Sequence, residues 1–163
     1  MILNQWALIT FLDPARKVFL SPPTEPPVSF IAKIYLVKMF PKKDCLKVEG
    51  DLLRIKWVNV ISEIFNKDVP EDLRPHFELK VNGQVVVDET TEEAWQQMRA
   101  VWRGTEYTLE NYRELQDTTV EVGDEVVLYV PNPGLKPGDV ATLEFHVKQD
   151  RPIKFKIQRT VGD

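Results

Sequence analysis

The chain has a single cysteine, Cys45, in 163 residues. That excludes an intramolecular disulfide and any zinc site built from several thiolates, and it suits a reducing compartment or a hyperthermal host. Histidine is almost as scarce, with only His76 and His146. They are far apart in sequence, so the His-x-x-x-His and His-x-His spacings of helical and strand metal sites are missing. The three serines are Ser21, Ser29 and Ser62, and none lies in a Gly-x-Ser-x-Gly turn. Among the seven glycines there is no phosphate loop, no Gly-x-Gly-x-x-Gly and no EF-hand loop. The acidic run Asp88-Glu89-Thr90-Thr91-Glu92-Glu93 lacks calcium-loop spacing and is accounted for by a helix start. No apolar run is long enough to span a membrane. The stretch Met1–Leu12 is broken by Asn4, Gln5 and Thr10, has no basic flank, and reads as a first strand, Trp6–Leu12, rather than a signal peptide. Net charge is −4 with both signs interspersed, so a general nucleic-acid binder is not expected.

What the chain does have is alternation. Val126, Leu128 and Val130 alternate with Val127 and Tyr129. Leu143, Phe145 and Val147 alternate with Thr142, Glu144, His146 and Lys148. Ile153, Phe155 and Ile157 alternate with Lys154, Lys156 and Gln158. A period of two means one buried and one wet face. Leu46–Val48 and Leu52–Val60 predict a hairpin around Glu49-Gly50-Asp51. Phe77–Val81 and Gln84–Asp88 flank Asn82-Gly83, which predicts a tight hairpin because a type I′ turn needs two positive φ angles. Ser29–Phe40, apolar on both faces, reads as a long central strand. Lys17–Leu20 reads as a short one. Four prolines in residues 21–27 force extended backbone, a loop or arm over 21–28.

One stretch breaks the pattern. Thr90-Thr91-Glu92-Glu93 reads as a capping box, Ala94, Trp95, Met98, Val101 and Trp102 form one helical face, and Gly104 supplies a stop. A second short helix is expected at Leu109–Leu115, giving a helical insertion over 90–116. The expected fold is therefore one all-β domain, residues 1–163, with a small helical insertion: a two-sheet antiparallel sandwich, either a jelly roll or an immunoglobulin-like Greek key.

Charge is unevenly distributed. Residues 81–125 carry 11 acidic and 3 basic side chains, a net of −8. Residues 126–163 carry 6 basic and 4 acidic, and residues 1–80 carry 12 basic and 10 acidic. Opposite surfaces can steer subunits together. The expected assembly contact sets Lys148, Arg151, Lys154, Lys156 and Arg159 against Glu92 and Glu93. Trp95 and Trp102, with Tyr107, have two readings, core aromatics or a ligand platform. Cys45 sits among Lys42, Lys43 and Lys47, which would lower a thiol pKa, but reads as structural. No catalytic residue, metal or cofactor is expected.

Val122-Gly-Asp-Glu-Val-Val-Leu-Tyr-Val130 followed by Gly134-Leu-Lys-Pro-Gly-Asp-Val-Ala-Thr-Leu-Glu-Phe145 is similar to the closing strands of archaellin and archaeal pilin β-sandwiches. The overall plan resembles the single jelly-roll capsid subunits of icosahedral viruses in architecture. That resemblance implies a non-enzymatic, self-assembling virion protein, a homo-oligomer without a membrane span, located in a virion or extracellular assembly and otherwise in the cytoplasm. The alternatives are a glycan- or small-ligand-binding module and an archaeal surface-filament component.

Overall fold

A computed structural model describes residues 29–148 and 152–163. The expected strands at Trp6–Leu12 and Lys17–Leu20, the proline-rich segment 21–28 and Arg151 lie outside the described residues. In chain order the elements are β1 (Ser29–Phe30), α1 (Lys33–Met39), β2 (Leu46–Glu49), β3 (Leu52–Val58), β4 (Ile64–Phe65), β5 (Phe77–Val81), β6 (Gln84–Val87), α2 (Glu92–Gln97), β7 (Arg99–Trp102), β8 (Thr105–Tyr107), β9 (Thr119–Val120), β10 (Glu125–Pro131), β11 (Val140–Val147) and β12 (Ile153–Gly162).

The fold is mostly β and sandwich-like. One large curled sheet runs in the order β6-β5-β11-β12-β2-β3-β10-β7-β8, and β4 and β9 form a small second sheet. The long strand β12 joins the two leaves. Residues Ile153 to Thr160 pair antiparallel with β11, while Val161 and Gly162 pair parallel with β2. Most ladders are antiparallel; β1 on β12 and β12 on β2 are the parallel ones among the described pairings. The strands with clear alternation bury the expected faces. Leu143, Phe145 and Val147 of β11 and Ile153, Phe155 and Ile157 of β12 enter a single core with Leu53 and Ile55 of β3 and Val126 and Val130 of β10. The Phe145 and Phe155 rings stack at 4.8 Å. The β5–β6 hairpin turns at Asn82 (φ 51°) and Gly83 (φ 80°), the two left-handed residues that a type I′ turn needs.

Two expectations are corrected. Ser29–Phe40 is not one long strand, because only Ser29–Phe30 is extended and Lys33–Met39 is helical. Leu36, Met39 and Phe40 bury at helical spacing, with Tyr35 half-buried, and Phe40 packs 5.7 Å from both Phe145 and Phe155. The helical insertion is also shorter than expected. Helix α2 stops at Gln97, and Arg99–Trp102 is strand β7, paired with β10 and β8. Arg103 (φ 51°) and Gly104 (φ 77°) form the hairpin turn, so Gly104 ends no helix. Thr91, not Thr90, precedes α2, and it makes no side-chain capping bond to the helix. Only Tyr112–Leu115 of the second expected helix is helical, as one 3-10 turn.

Candidate functional site

The outer face of β11 and β12 is where most of the expected basic contact residues fall. Cross-strand pairing builds two rows there, Lys156–Glu144–Lys80 and Lys154–His146–Glu78. Lys156 lies 3.4 Å from Glu144, and Lys148 lies 3.3 Å from Glu78. The lysines are therefore interleaved with carboxylates, and the face is less basic than its lysines alone suggest. Arg159 does not belong to it. Strand alternation turns Arg159 inward, where it is 9 % exposed and donates from Nε to the Phe40 carbonyl at 2.7 Å and from Nη1 to the Gln158 carbonyl at 2.7 Å. A buried side chain cannot meet a partner, so Arg159 is corrected from contact residue to internal clamp.

The aromatic platform is corrected likewise. Trp95 is 2 % exposed and Trp102 is buried, while Tyr107 is half-buried against the same core. Trp95 lies edge-on to Phe77 at 6.1 Å and donates its indole N–H to the Asp88 carbonyl at 2.7 Å. Trp102 donates to Asp124 Oδ2 at 3.1 Å, beneath the Arg103 guanidinium. Burial opposes ionisation of Asp124, but the Glu121 amide, the Trp102 indole and Arg103 together hold its carboxyl below the usual range. The gap bordered by Trp95, Met98, Tyr107 and Tyr112 measures about 30 Å³, which admits a water but not a sugar.

Two surface features stand out instead. The first is an open groove of about 570 Å³ between β6, the start of α2 and Pro131–Pro133. Val85, Val86, Ala94, Pro131 and Pro133 supply apolar walls, and Glu92, Glu93 and Gln97 sit along α2. Its lining carries two carboxylates and no cation. Glu92 is paired with Arg74 from outside the groove, whereas Glu93 is exposed and has no ion pair among the described residues. The groove thus does hold both acidic residues of the expected contact.

The second feature is α1. Its outward side presents Ile34, 65 % exposed, and Val37, 43 % exposed, one helical turn apart. Lys33 and Lys38 flank them, and Lys42 and Lys43 follow in the next loop, all exposed. None of these four lysines forms an ion pair among the described residues, in contrast to Lys47, Lys56, Lys80, Lys148 and Lys156. The strand reading of 29–40 hid this patch, since it alternates Ile34 and Val37 onto opposite faces. The signal was the set Leu36, Met39 and Phe40, whose spacing is helical.

No protein-family model matches the chain, and no curated protein sequence matches it either. The reading therefore rests on the chain's own chemistry.

The nucleophile and proton-carrier candidates have structural partners. His76 Nδ1 lies 2.7 Å from the Lys148 carbonyl oxygen, and the Lys148 amide donates back to the His76 carbonyl at 2.8 Å. Cys45 is 1 % exposed, and burial pushes its thiol up to about 11, opposite to the lowering that nearby lysines would give. The Lys47 ammonium instead turns to Asp44, 3.0 Å away, outside the core. In the folded protein at neutral pH the Cys45 thiol is expected to resist Ellman's reagent, and full reaction should appear only on adding denaturant. Rapid modification under native conditions would contradict this placement. Among the described residues no group of His, Cys, Asp or Glu is arranged to hold a metal ion, and no helix is long and apolar enough to cross a membrane.

His146 gives a pH expectation. Burial first, then the charges of Lys154 and Lys148, hold its imidazole below the ordinary value; Glu78 works in the opposite direction, and Lys80 adds to the lowering. The unfolded chain then takes up the proton more readily than the fold. This contribution to stability is present above the ordinary histidine value of about 6.5 and is lost as pH falls through the lower folded value. Melting temperatures measured between pH 7.5 and pH 5 (about one unit or more either side of that value) should fall less steeply for His146→Gln than for the native sequence. Equal slopes would remove His146 from the acid response.

Proposed function

We propose that the chain is a non-enzymatic structural subunit that assembles with copies of itself, of the kind that builds a virion shell. The observation that carries this reading is the separation of uncompensated charge on one folded unit. In residues 81–125, nine of the eleven acidic side chains are exposed, and five of them, Glu89, Glu93, Glu110, Glu114 and Asp117, form no ion pair among the described residues. On α1 and the loop after it, four exposed lysines lack partners among the described residues. Fields of opposite sign on one subunit favour head-to-tail encounter and disfavour like-to-like contact.

Sedimentation velocity and electron microscopy over a concentration series test it. The expected result is concentration-dependent assembly that weakens as salt rises from about 0.1 M to about 1 M, where screening shortens to a few ångströms. A strict monomer at every concentration and salt would overturn it. A second reading, a module for a glycan or small ligand, draws on the groove alone. Its lining offers no aromatic ring on which a sugar would stack. Saturable binding of one glycan to the monomer on an array, lost on altering Gln97, would favour that reading.

A further inference from the structure

We infer that the exposed ridge of α1 in one copy docks into the groove between β6, α2 and Pro131–Pro133 of a second copy. The inference rests on the assembly reading and names its contact. The two surfaces match in apolar character and in charge. The ridge is Ile34 and Val37 bordered by Lys33 and Lys38, an apolar strip edged with cations. The groove is lined by Val85, Ala94 and the two prolines and edged by Glu93, which has no ion pair among the described residues, and by Glu92, which Arg74 pairs from outside; its lining holds no cation. Ile34, Val37 and Val85 are three of the exposed large apolar side chains among the described residues. Docking would cover all three, as a short helix covers its apolar face in a groove.

The contact joins two different patches of the chain. Helix α1 ends with Phe40 packed on β11 and β12, whereas the groove opens at β6, beyond β5 at the end of the sheet order. Ridge and groove therefore lie on different parts of the surface, and each copy offers both halves of the contact. Made reciprocally it gives a two-fold pair, and repeated head to tail it closes into a ring or runs on as a filament. A ridge of two apolar side chains makes each contact weak, so assembly depends on many contacts acting together.

The test uses the full chain in three forms: native, Lys33→Glu with Lys38→Glu, and Glu93→Lys with Gln97→Lys. All changed residues are exposed, and the pair Glu92–Arg74 is left intact. Thermal melts establish that each variant folds. Each variant alone should need at least about tenfold more protein to assemble. An equal mixture of the two should regain assembly, because the reversed ridge fits the reversed groove and the native ridge fits the native groove. Loss in both variants without rescue in the mixture, or loss in only one, overturns the contact. Assembly unchanged in both variants overturns the contact and leaves self-assembly standing. A native chain that stays monomeric overturns self-assembly and the contact with it. If that monomer co-sediments with anionic phosphatidylglycerol vesicles, and Lys33→Glu with Lys38→Glu abolishes this, the ridge serves a lipid surface instead.

Discussion

Replacing Trp95 by alanine is expected to lower stability by about 3–5 kcal/mol, the cost of emptying a large, well-packed core site. Trp95 is among the largest fully buried side chains of the described residues. It closes the core beside Phe77, and its indole N–H ties α2 back to the Asp88 carbonyl at the end of β6. Three consequences of the substitution add. The apolar surface of the indole is lost, a cavity remains where neighbouring strands cannot collapse fully, and α2 loses an anchor. Trp95→Phe separates them. It keeps a ring against Phe77, and the Asp88 carbonyl retains the Thr91 hydroxyl as a donor at 3.0 Å. Its cost should be nearer 1–2 kcal/mol. Denaturant titration reads both, with the midpoint falling and the slope unchanged if cooperativity is kept. A Trp95→Ala cost below about 1 kcal/mol would show that the site is not tightly packed. The platform role would then need to be reopened.

The strands that were legible in sequence share one property: each buries one face and wets the other. Leu143, Phe145 and Val147 against Thr142, Glu144 and His146 can be read without knowing any partner, because the pleat alone sets the period. Asn82-Gly83 was legible for an equally local reason, since few residue pairs accept two positive φ angles. The turn at Arg103-Gly104 has the same geometry but carries arginine in the first place, so the glycine alone read as a helix stop. Met98, Val101 and Trp102 happen to fall at helical spacing. What makes 99–102 a strand is pairing with β10, whose register sets Ala100 against Leu128 and Trp102 against Val126. That is tertiary information.

The candidate site was half legible for a related reason. Glu92 and Glu93 stood out as charge in a segment with net −8, and they do line the groove. The other wall, Pro131–Pro133, comes from a distant part of the chain. Helix α1 was hidden because its wet face carries Ile34 and Val37 between its lysines, and both are residues that favour strands by themselves. An exposed apolar face erases the periodicity that would announce a helix, and the same exposure is what makes the face available to a partner.

Arg159 shows charge overriding a pattern that was correct. Ile153, Phe155 and Ile157 point inward, and continuing by two places Arg159 inward as well; only its charge argued for the surface. The fold follows the pattern, and Arg159 becomes a clamp on the end of α1. Its guanidinium bonds the Phe40 and Gln158 carbonyls, and among the described residues it has no carboxylate partner and Nη2 no hydrogen-bond partner. Arg159→Ala is expected to cost about 3 kcal/mol, because it opens a cavity beside Phe40 and strips a buried carbonyl of its donor. Arg159→Met fills much of the volume and removes a buried cation that has no carboxylate partner among the described residues, so its cost should be smaller, about 1 kcal/mol. Arg159→Glu would turn a carboxylate toward two carbonyl oxygens and should prevent folding. Denaturant titrations of the first two variants decide between packing and polar clamping. A methionine variant as stable as the native chain would mean that filling space is all that Arg159 contributes. A methionine variant as damaged as the alanine one would mean that the bond to Phe40 is what fixes α1. In that case Arg159→Met should also weaken assembly, since the ridge of Ile34 and Val37 is carried on the helix that this bond holds.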